Sequence, residues 1–448
     1  MSSIRSVHIT NYYHRSSGGI STSYNNLLAA AGRLGRRMDL IVPGEKESVE
    51  QVNDYATIYY VPAKYSPVFD KRYRIMMPWQ YMAGDSVIRR ILLELEPDII
   101  EVTDKYTLSF IGPMIRIGKF KRIGRPMLVH FSCERMDDNI GSFLSEGRLG
   151  KWFARRLMGE YLLPGYDFHI ANSDYTAGEF FDAANAVSHS RVARKMWRLL
   201  RAPMIPLSER VAVCPRGVDA VQFTPERRSA AARQQIIREA GLPESAKIVL
   251  YAGRISPEKN VPLLLDAFRT ANERSQHDLR LLVAGDGPLA DKFFADGAAI
   301  GERKVIRLGH LDKASLADTY ANADIFVHPN PREPFGIAPL EAMASGLPTV
   351  APNGGGILSY ATNDNIWLCD PEPEAFASAI LEIADGGEKV EHKVARALDT
   401  ARANTRERST ENLIATYDRL WQDFNERRSL YTDAELSAGF DHLRSIDA

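Results

Sequence analysis

Cysteine is scarce: Cys133, Cys214 and Cys369 are the only three in 448 residues. None belongs to a C-x-x-C pair, which excludes a disulfide scaffold and a paired zinc motif and leaves buried or idle thiols. Long apolar runs are missing too, since no window approaches the ~20 apolar residues a membrane-spanning helix requires. The opening MSSIRSVHITNYYH lacks the apolar core of a signal peptide and reads as a first strand. The expectation is a cytoplasmic protein, peripheral at most on the inner face of a membrane. Net charge is −1, and no nucleic-acid partner is expected. That total hides an asymmetry: residues 1–220 hold 30 basic against 23 acidic side chains, and the remainder 26 against 34. A basic first half reads as facing something anionic, with uneven solvated surface as the alternative.

What the chain does contain is repetition. Short apolar runs alternate with amphipathic helical stretches at residues 6–10, 38–43, 98–102, 126–131 and 168–173, and again at 247–253, 279–285, 305–310, 323–329 and 347–352. Such alternation is the signature of parallel strands covered by helices on both faces. Two series in a chain too long for one core predict an α/β fold of two Rossmann-like, doubly wound domains facing across a cleft. FTPERRSAAARQQIIREAGLPES (residues 223–245) reads as a linker and a helix closed by Gly241, so the domains are expected at 1–225 and 226–448. The tail from about Asn404 is helical and charged, and its last helix, from about residue 430, is expected to pack back on the first domain.

In doubly wound sheets ligands bind beyond the carboxyl ends of the strands, so chemistry is sought there. HRSSGGIS follows the first strand, and its Gly18 and Gly19 let backbone N–H groups approach an anion, or simply make a turn. YAGRISPEKNV opens the second series, with Ser256 placed to cap a helix, Pro257 to open it and Lys259 in its first turn. A cation there opposes the helix dipole, and a bound anion reverses that sign. Arg254 stands beside it, and a guanidinium fork with an ammonium suits a diphosphate. VAGDGPL reads first as a tight turn. In HPNPREPFGIAPLEAMASGLP a loop carries Glu333, and a helix expected to begin near Pro339 carries Glu341 in its first turn. As the paired acid and base of a glycosidase the two would be ~12 Å apart, beyond the ~5 to 9.5 Å such pairs use. Separate contacts on one long ligand fit better. PNGGGILSY supplies another backbone surface at the same edge. Asp137 and Asp138 form a weaker candidate, a metal-binding carboxylate pair.

Taken together, Gly-Gly after the first strand, GRISPEKN, GDGP, RGVD with Phe223 and Pro225, and EPFGIAPLE as an E-x7-E motif resemble glycosyltransferase family 4, retaining enzymes of GT-B fold. The resemblance implies a hexosyltransferase using a nucleotide-diphosphate sugar, of UDP-hexose or GDP-mannose type, with no metal or other cofactor. Arg254 and Lys259 would hold the diphosphate and Glu341 the ribose. Glu333 would contact the transferred sugar, with backbone groups of Phe335, Gly336 and Ile337 beside it. Gly18 and Gly19 would approach the diphosphate, and His130 would face the donor sugar. Glu333, His130, Arg254 and Lys259 form the implied catalytic set. Ser359 stands where the family usually has a glutamate.

A basic amphipathic stretch, RVARKMWRLLR from Arg191 to Arg201, and a second basic cluster from Ile115 to Pro126 mark candidate contacts with an anionic membrane. They favour a membrane glycolipid or lipid-linked glycan as acceptor, with a soluble saccharide or small molecule as alternative. A nucleotide-sugar epimerase, a glycan phosphorylase and a non-catalytic binding module are the competing readings on the same architecture.

Overall fold

A computed structural model describes residues 4–14, 19–66, 74–143 and 148–439. It divides into two compact units, Met1–Pro215 with Thr410–Ala448, and Arg216–Ser409.

The first unit contains β1 (Arg5–Ile9), β2 (Arg37–Gly44), β3 (Ser48–Asn53), β4 (Ala56–Pro62), a two-strand ribbon of β5 (Lys64–Tyr65) and β6 (Arg74–Ile75), then β7 (Ile99–Val102), β8 (Met127–Ser132), β9 (Phe168–Ala171) and β10 (Val211–Val213). Among the described residues its main sheet has the order β10-β9-β8-β7-β1-β2-β4-β3. Every pair in it is parallel except β3 with β4. The central strands are buried on both faces, as continuous apolar runs require. The β3–β4 excursion was not expected from sequence. SVEQVN is largely exposed, so it lacks the apolar run that marked the other strands.

The second unit holds β11 (Lys247–Ala252), β12 (Leu279–Ala284), β13 (Val305–Gly309), β14 (Ile325–Val327), β15 (Thr349–Pro352) and β16 (Trp367–Cys369). They form a wholly parallel sheet in the order β13-β12-β11-β14-β15-β16. Strand order reverses between β11 and β14. In such sheets that reversal opens a crevice at the carboxyl ends of the two strands.

Three expectations change in detail. The first division falls at Pro215/Arg216 rather than at 225. The segment between packs in the second unit, where Val218 donates to the Asn404 carbonyl at 2.9 Å and the Phe223 ring meets Tyr320. The return to the first unit begins at Thr410, not near 430. Tyr417, Leu420, Phe424 and Tyr431 join Ile99, Met127 and Phe168 in one apolar cluster, each buried side chain worth about 1.5–3 kcal/mol. The Tyr417 hydroxyl also reaches Glu101, which lies beneath it with His8 and Tyr24. Finally, the basic cluster from Ile115 to Pro126 is only partly surface. Ile115, Phe120 and Ile123 lie in the core, and Arg116 and Arg125 both pair with buried Asp167. Of its cations, Lys119, Lys121 and Arg122 are the exposed ones.

Candidate active site

At the end of β11 the chain turns through Gly253 (φ 157°) into Arg254, which is exposed. The Tyr251 hydroxyl donates to the Arg254 carbonyl at 2.9 Å and fixes that turn. The GDGP loop packs against it backbone to backbone: Ile255 N–H donates to the Asp286 carbonyl at 3.0 Å, and Leu289 N–H to the Ile255 carbonyl at 3.1 Å. A Cβ on Gly285 would lie 1.9 Å from the Gly253 oxygen, so only glycine allows this approach. GDGP therefore buttresses the Arg254 loop. The next turn departs from expectation. Ser256 caps no helix and bonds instead to the Glu258 carboxylate at 2.5 Å; Pro257–Lys259 is a single 3-10 turn, and the helix proper is Val261–Arg274. Asn260, with φ 52°, makes the join and donates to the Pro329 carbonyl at 3.2 Å. A short turn in place of a helical start frees Lys259 to project toward the loop after β14.

There Lys259 meets Glu333. Their Nζ and Oε2 atoms are 2.7 Å apart, Asn330 Nδ2 donates to the same oxygen at 2.9 Å, and His328 Nε2 lies 3.4 Å away. Burial works against a charged Glu333, but Lys259 and His328 outweigh it and hold the carboxyl far below its ordinary range. Two residues expected to touch different parts of one ligand thus already touch each other. Asn330 and His328 were missed from sequence, although both lie within five residues of Glu333; nothing local signalled that their side chains turn toward it.

The helix after this loop is Ile337–Ala344, starting earlier than the expected Pro339, so Glu341 stands beyond its first turn. Gly336 begins it with φ 84°, and no side chain caps its first N–H groups. That uncapped end is an anion-seeking feature beside Glu333. Phe335 is buried with its ring 5.3 Å from Tyr360, whose hydroxyl reaches the Gly336 carbonyl; Ile337 is partly buried. The PNGGG loop braces the arrangement: Gly356 N–H donates to the Glu333 carbonyl at 2.7 Å, and a Cβ on Gly356 would lie 1.9 Å from the Pro334 oxygen. Ser359 ends the 3-10 turn Gly355–Ser359. Glu341 receives the Tyr320 hydroxyl at 3.4 Å, and burial pushes its carboxyl up to about 8.

The first unit is less accommodating. Gly18 lies outside the described residues, while Gly19 is exposed and opens the helix Gly19–Leu34. His130 does not face solvent. It is wholly buried on β8 among Tyr166, His169 and Phe180, neither ring nitrogen has a hydrogen-bond partner, and burial holds its pKa well below the ordinary value. This neutral core histidine replaces the expected catalytic one. Asp137 is engaged by Arg135 and Arg155, and Asp138 by Lys151 and Tyr175.

Residues 232–398 match the family model described as Glycosyl transferases group 1, and residues 18–194 match a Glycosyl transferase 4-like domain. The chain is similar to a GDP-mannose-dependent alpha-(1-6)-phosphatidylinositol dimannoside mannosyltransferase of Mycobacterium tuberculosis, 29% identical over 92% of this chain and 96% of the relative. Over 46% of this chain and 48% of the relative it is 32% identical to a D-inositol 3-phosphate glycosyltransferase of Thermobispora bispora. Among solved structures, an Anabaena protein in complex with UDP and glucose superposes with a TM-score of 0.65, 16% identity, and coverage of 92% of this chain and 99% of that one. A sucrose-phosphate synthase from Thermosynechococcus elongatus gives 0.68 at 18% identity, with coverage of 94% and 100%.

Proposed function

Because the chain is a nucleotide-sugar glycosyltransferase of family 4 with the GT-B fold, we propose that it transfers a hexose, with retention, to a hydroxyl of a membrane glycolipid or lipid-linked glycan. The observation that carries this reading is the Lys259–Glu333 pair, with the uncapped start of Ile337–Ala344 next to Glu333 and Arg254 on the loop that leads into Lys259. Departure of a nucleoside diphosphate leaves negative charge on its phosphates, and preorganised cations and helix N–H groups lower that barrier most. Arg254, Lys259 and the backbone of Phe335, Gly336 and Ile337 supply them without calling for a metal ion. In the proposed step the bond from the anomeric carbon to the phosphate oxygen breaks, and a bond to the acceptor oxygen forms on the same face. The acceptor proton passes to the departing phosphate oxygen. Glu333 accepts from hydroxyls of the transferred sugar, and Glu341 from those of the ribose.

The Mycobacterium tuberculosis relative's name specifies GDP-mannose and a phosphatidylinositol dimannoside. GDP-mannose with an inositol glycolipid is therefore the first pair to test, and UDP-hexoses come second, since structural neighbours were solved with UDP and UDP-glucose. In a thermal-shift screen the true donor at a hundredfold excess over its Kd should stabilise the protein by about 2.7 kcal/mol. Mass spectrometry should then find one hexose added to the acceptor. Binding without transfer to any hydroxyl acceptor, or isomerised donor in its place, would refute the proposal.

Glu341 adds a pH signature. Its folded pKa of about 8 lies above the ordinary 4.5, so at neutral pH the free protein holds it mostly protonated. A carboxylate accepting two ribose hydroxyls must lose that proton on binding. Affinity for the intact nucleotide sugar, whose diphosphate does not titrate here, should therefore rise about tenfold per pH unit below 8 and level off above it. Titration calorimetry of the wild type against Glu341→Gln checks this: the variant should lose the slope, and an equal slope in both would remove Glu341 from the ribose.

A further inference from the structure

Exposed apolar side chains concentrate on two neighbouring helices of the first unit. On Arg148–Leu157 they are Leu149 at 78%, Trp152 at 54%, Phe153 at 57% and Leu157. Their spacing of three and four residues places them on one face. Lys151 and Arg155 of the same helix are engaged by Asp138, Asp137 and Asp182, which leaves its apolar face outermost. On Arg191–Leu199 the amphipathic stretch does not turn its tryptophan outward. Trp197 is 2% exposed and donates its indole N–H to the Gly159 carbonyl at 2.7 Å. Anchored by that ring, the helix turns Arg191, Val192, Lys195, Arg198 and Leu199 outward. No carboxylate pairs with those three cations among the described residues. The two helices adjoin through Met158–Leu162 and Ser190, to whose hydroxyl Arg156 donates at 3.1 Å.

Trp, Phe and Leu side chains held in water beside uncompensated cations suit the headgroup boundary of an anionic bilayer, where rings are desolvated and cations meet lipid phosphates. We propose that this two-helix face docks the protein on anionic membrane, with Trp152 and Phe153 entering the interface and Arg191, Lys195 and Arg198 binding acidic headgroups. The inference deepens the membrane-acceptor reading, from which it takes its purpose. Its occupant is a lipid surface, because the apolar and cationic halves of this face correspond to the two layers of a leaflet's edge.

The test uses the full chain and needs neither donor nor acceptor, so it stands or falls apart from the transfer assay. The protein should co-sediment with vesicles of phosphatidylglycerol and phosphatidylcholine in equal parts, but not with phosphatidylcholine alone, and added salt should release it. Trp152→Ser with Phe153→Ser, and separately Arg191→Glu with Arg198→Glu, should each lower partitioning about tenfold or more. Unchanged melting temperatures would show that both variants fold. Wild-type protein indifferent to anionic lipid, or Trp152/Phe153 variants that bind as well as it does, would overturn the proposal. So would a wild-type dimer that those same variants convert to monomer, because the face would then be a self-association surface.

Discussion

Replacing Lys259 with alanine is expected to lower turnover by about a hundredfold or more, the effect of deleting one preorganised charge-stabilising donor, with little change in melting temperature. Lys259 is half-buried and spans two strand-end loops, pairing with Glu333 at 2.7 Å before any ligand arrives. A diphosphate placed there inherits an ammonium already held by Asn330-supported Glu333, so little reorganisation remains to oppose charge development. The loss should fall on turnover more than on donor affinity, because negative charge grows on the phosphates as the bond breaks. Steady-state kinetics with the identified donor measures this. Near-normal turnover would remove Lys259 from the phosphates and leave its ion pair a structural one. The change also strips Glu333 of its main cation, so the carboxyl should titrate nearer the ordinary range; the preserved fold is verified independently by circular dichroism.

The largest stability effect is expected from Asp167→Ala. Asp167 is fully buried just before β9, where it accepts from Arg125 at 2.7 and 2.8 Å, from the Leu128 N–H at 2.8 Å and from Arg116. Burial opposes its charge, but Arg125 and Arg116 outweigh that and lower its pKa. Because the folded pKa lies below the unfolded one, the stabilisation is complete at neutral pH and is lost only as acid protonates the folded carboxylate. Arg116 is equally buried and further donates to the Arg201 and Tyr431 carbonyls, drawing the returning C-terminal segment onto the sheet. Alanine at 167 leaves that guanidinium buried without its counter-ion, at a cost of about 3–5 kcal/mol. The melting temperature should fall by about 10 °C, and calorimetry at pH 7 checks it. A loss of less than 1 °C would mean that water already shares this site.

The elements legible beforehand were those whose signals are local. Ten apolar runs announced strands that exist, and the segments YAGRISPEKN, VAGDGPL and HPNPREPFG read correctly as strand ends. Signals failed where the outcome depended on residues far along the chain. IRIGKFKRIGRP is basic in composition, yet Ile115, Phe120 and Ile123 are core and two of its arginines serve Asp167. His130 ends an apolar run in the manner of an active-site histidine, but Tyr166, His169 and Phe180 close over it. Trp197 marks an amphipathic helix, though the Gly159 carbonyl, and not a lipid, receives its N–H.

Sequence alone therefore determined the alternation of strands and helices, and which loops stand at the carboxyl ends of the strands. Period, glycine placement and proline placement act within about ten residues and need no distant partner. Only tertiary structure decided that Lys259 meets Glu333 across 74 residues of chain, that Asp167 and not solvent receives Arg116, and which faces of the basic helices remain uncovered. Burial and charge pairing are properties of what packs against a side chain, and that is set by chain closure over distances no local pattern encodes.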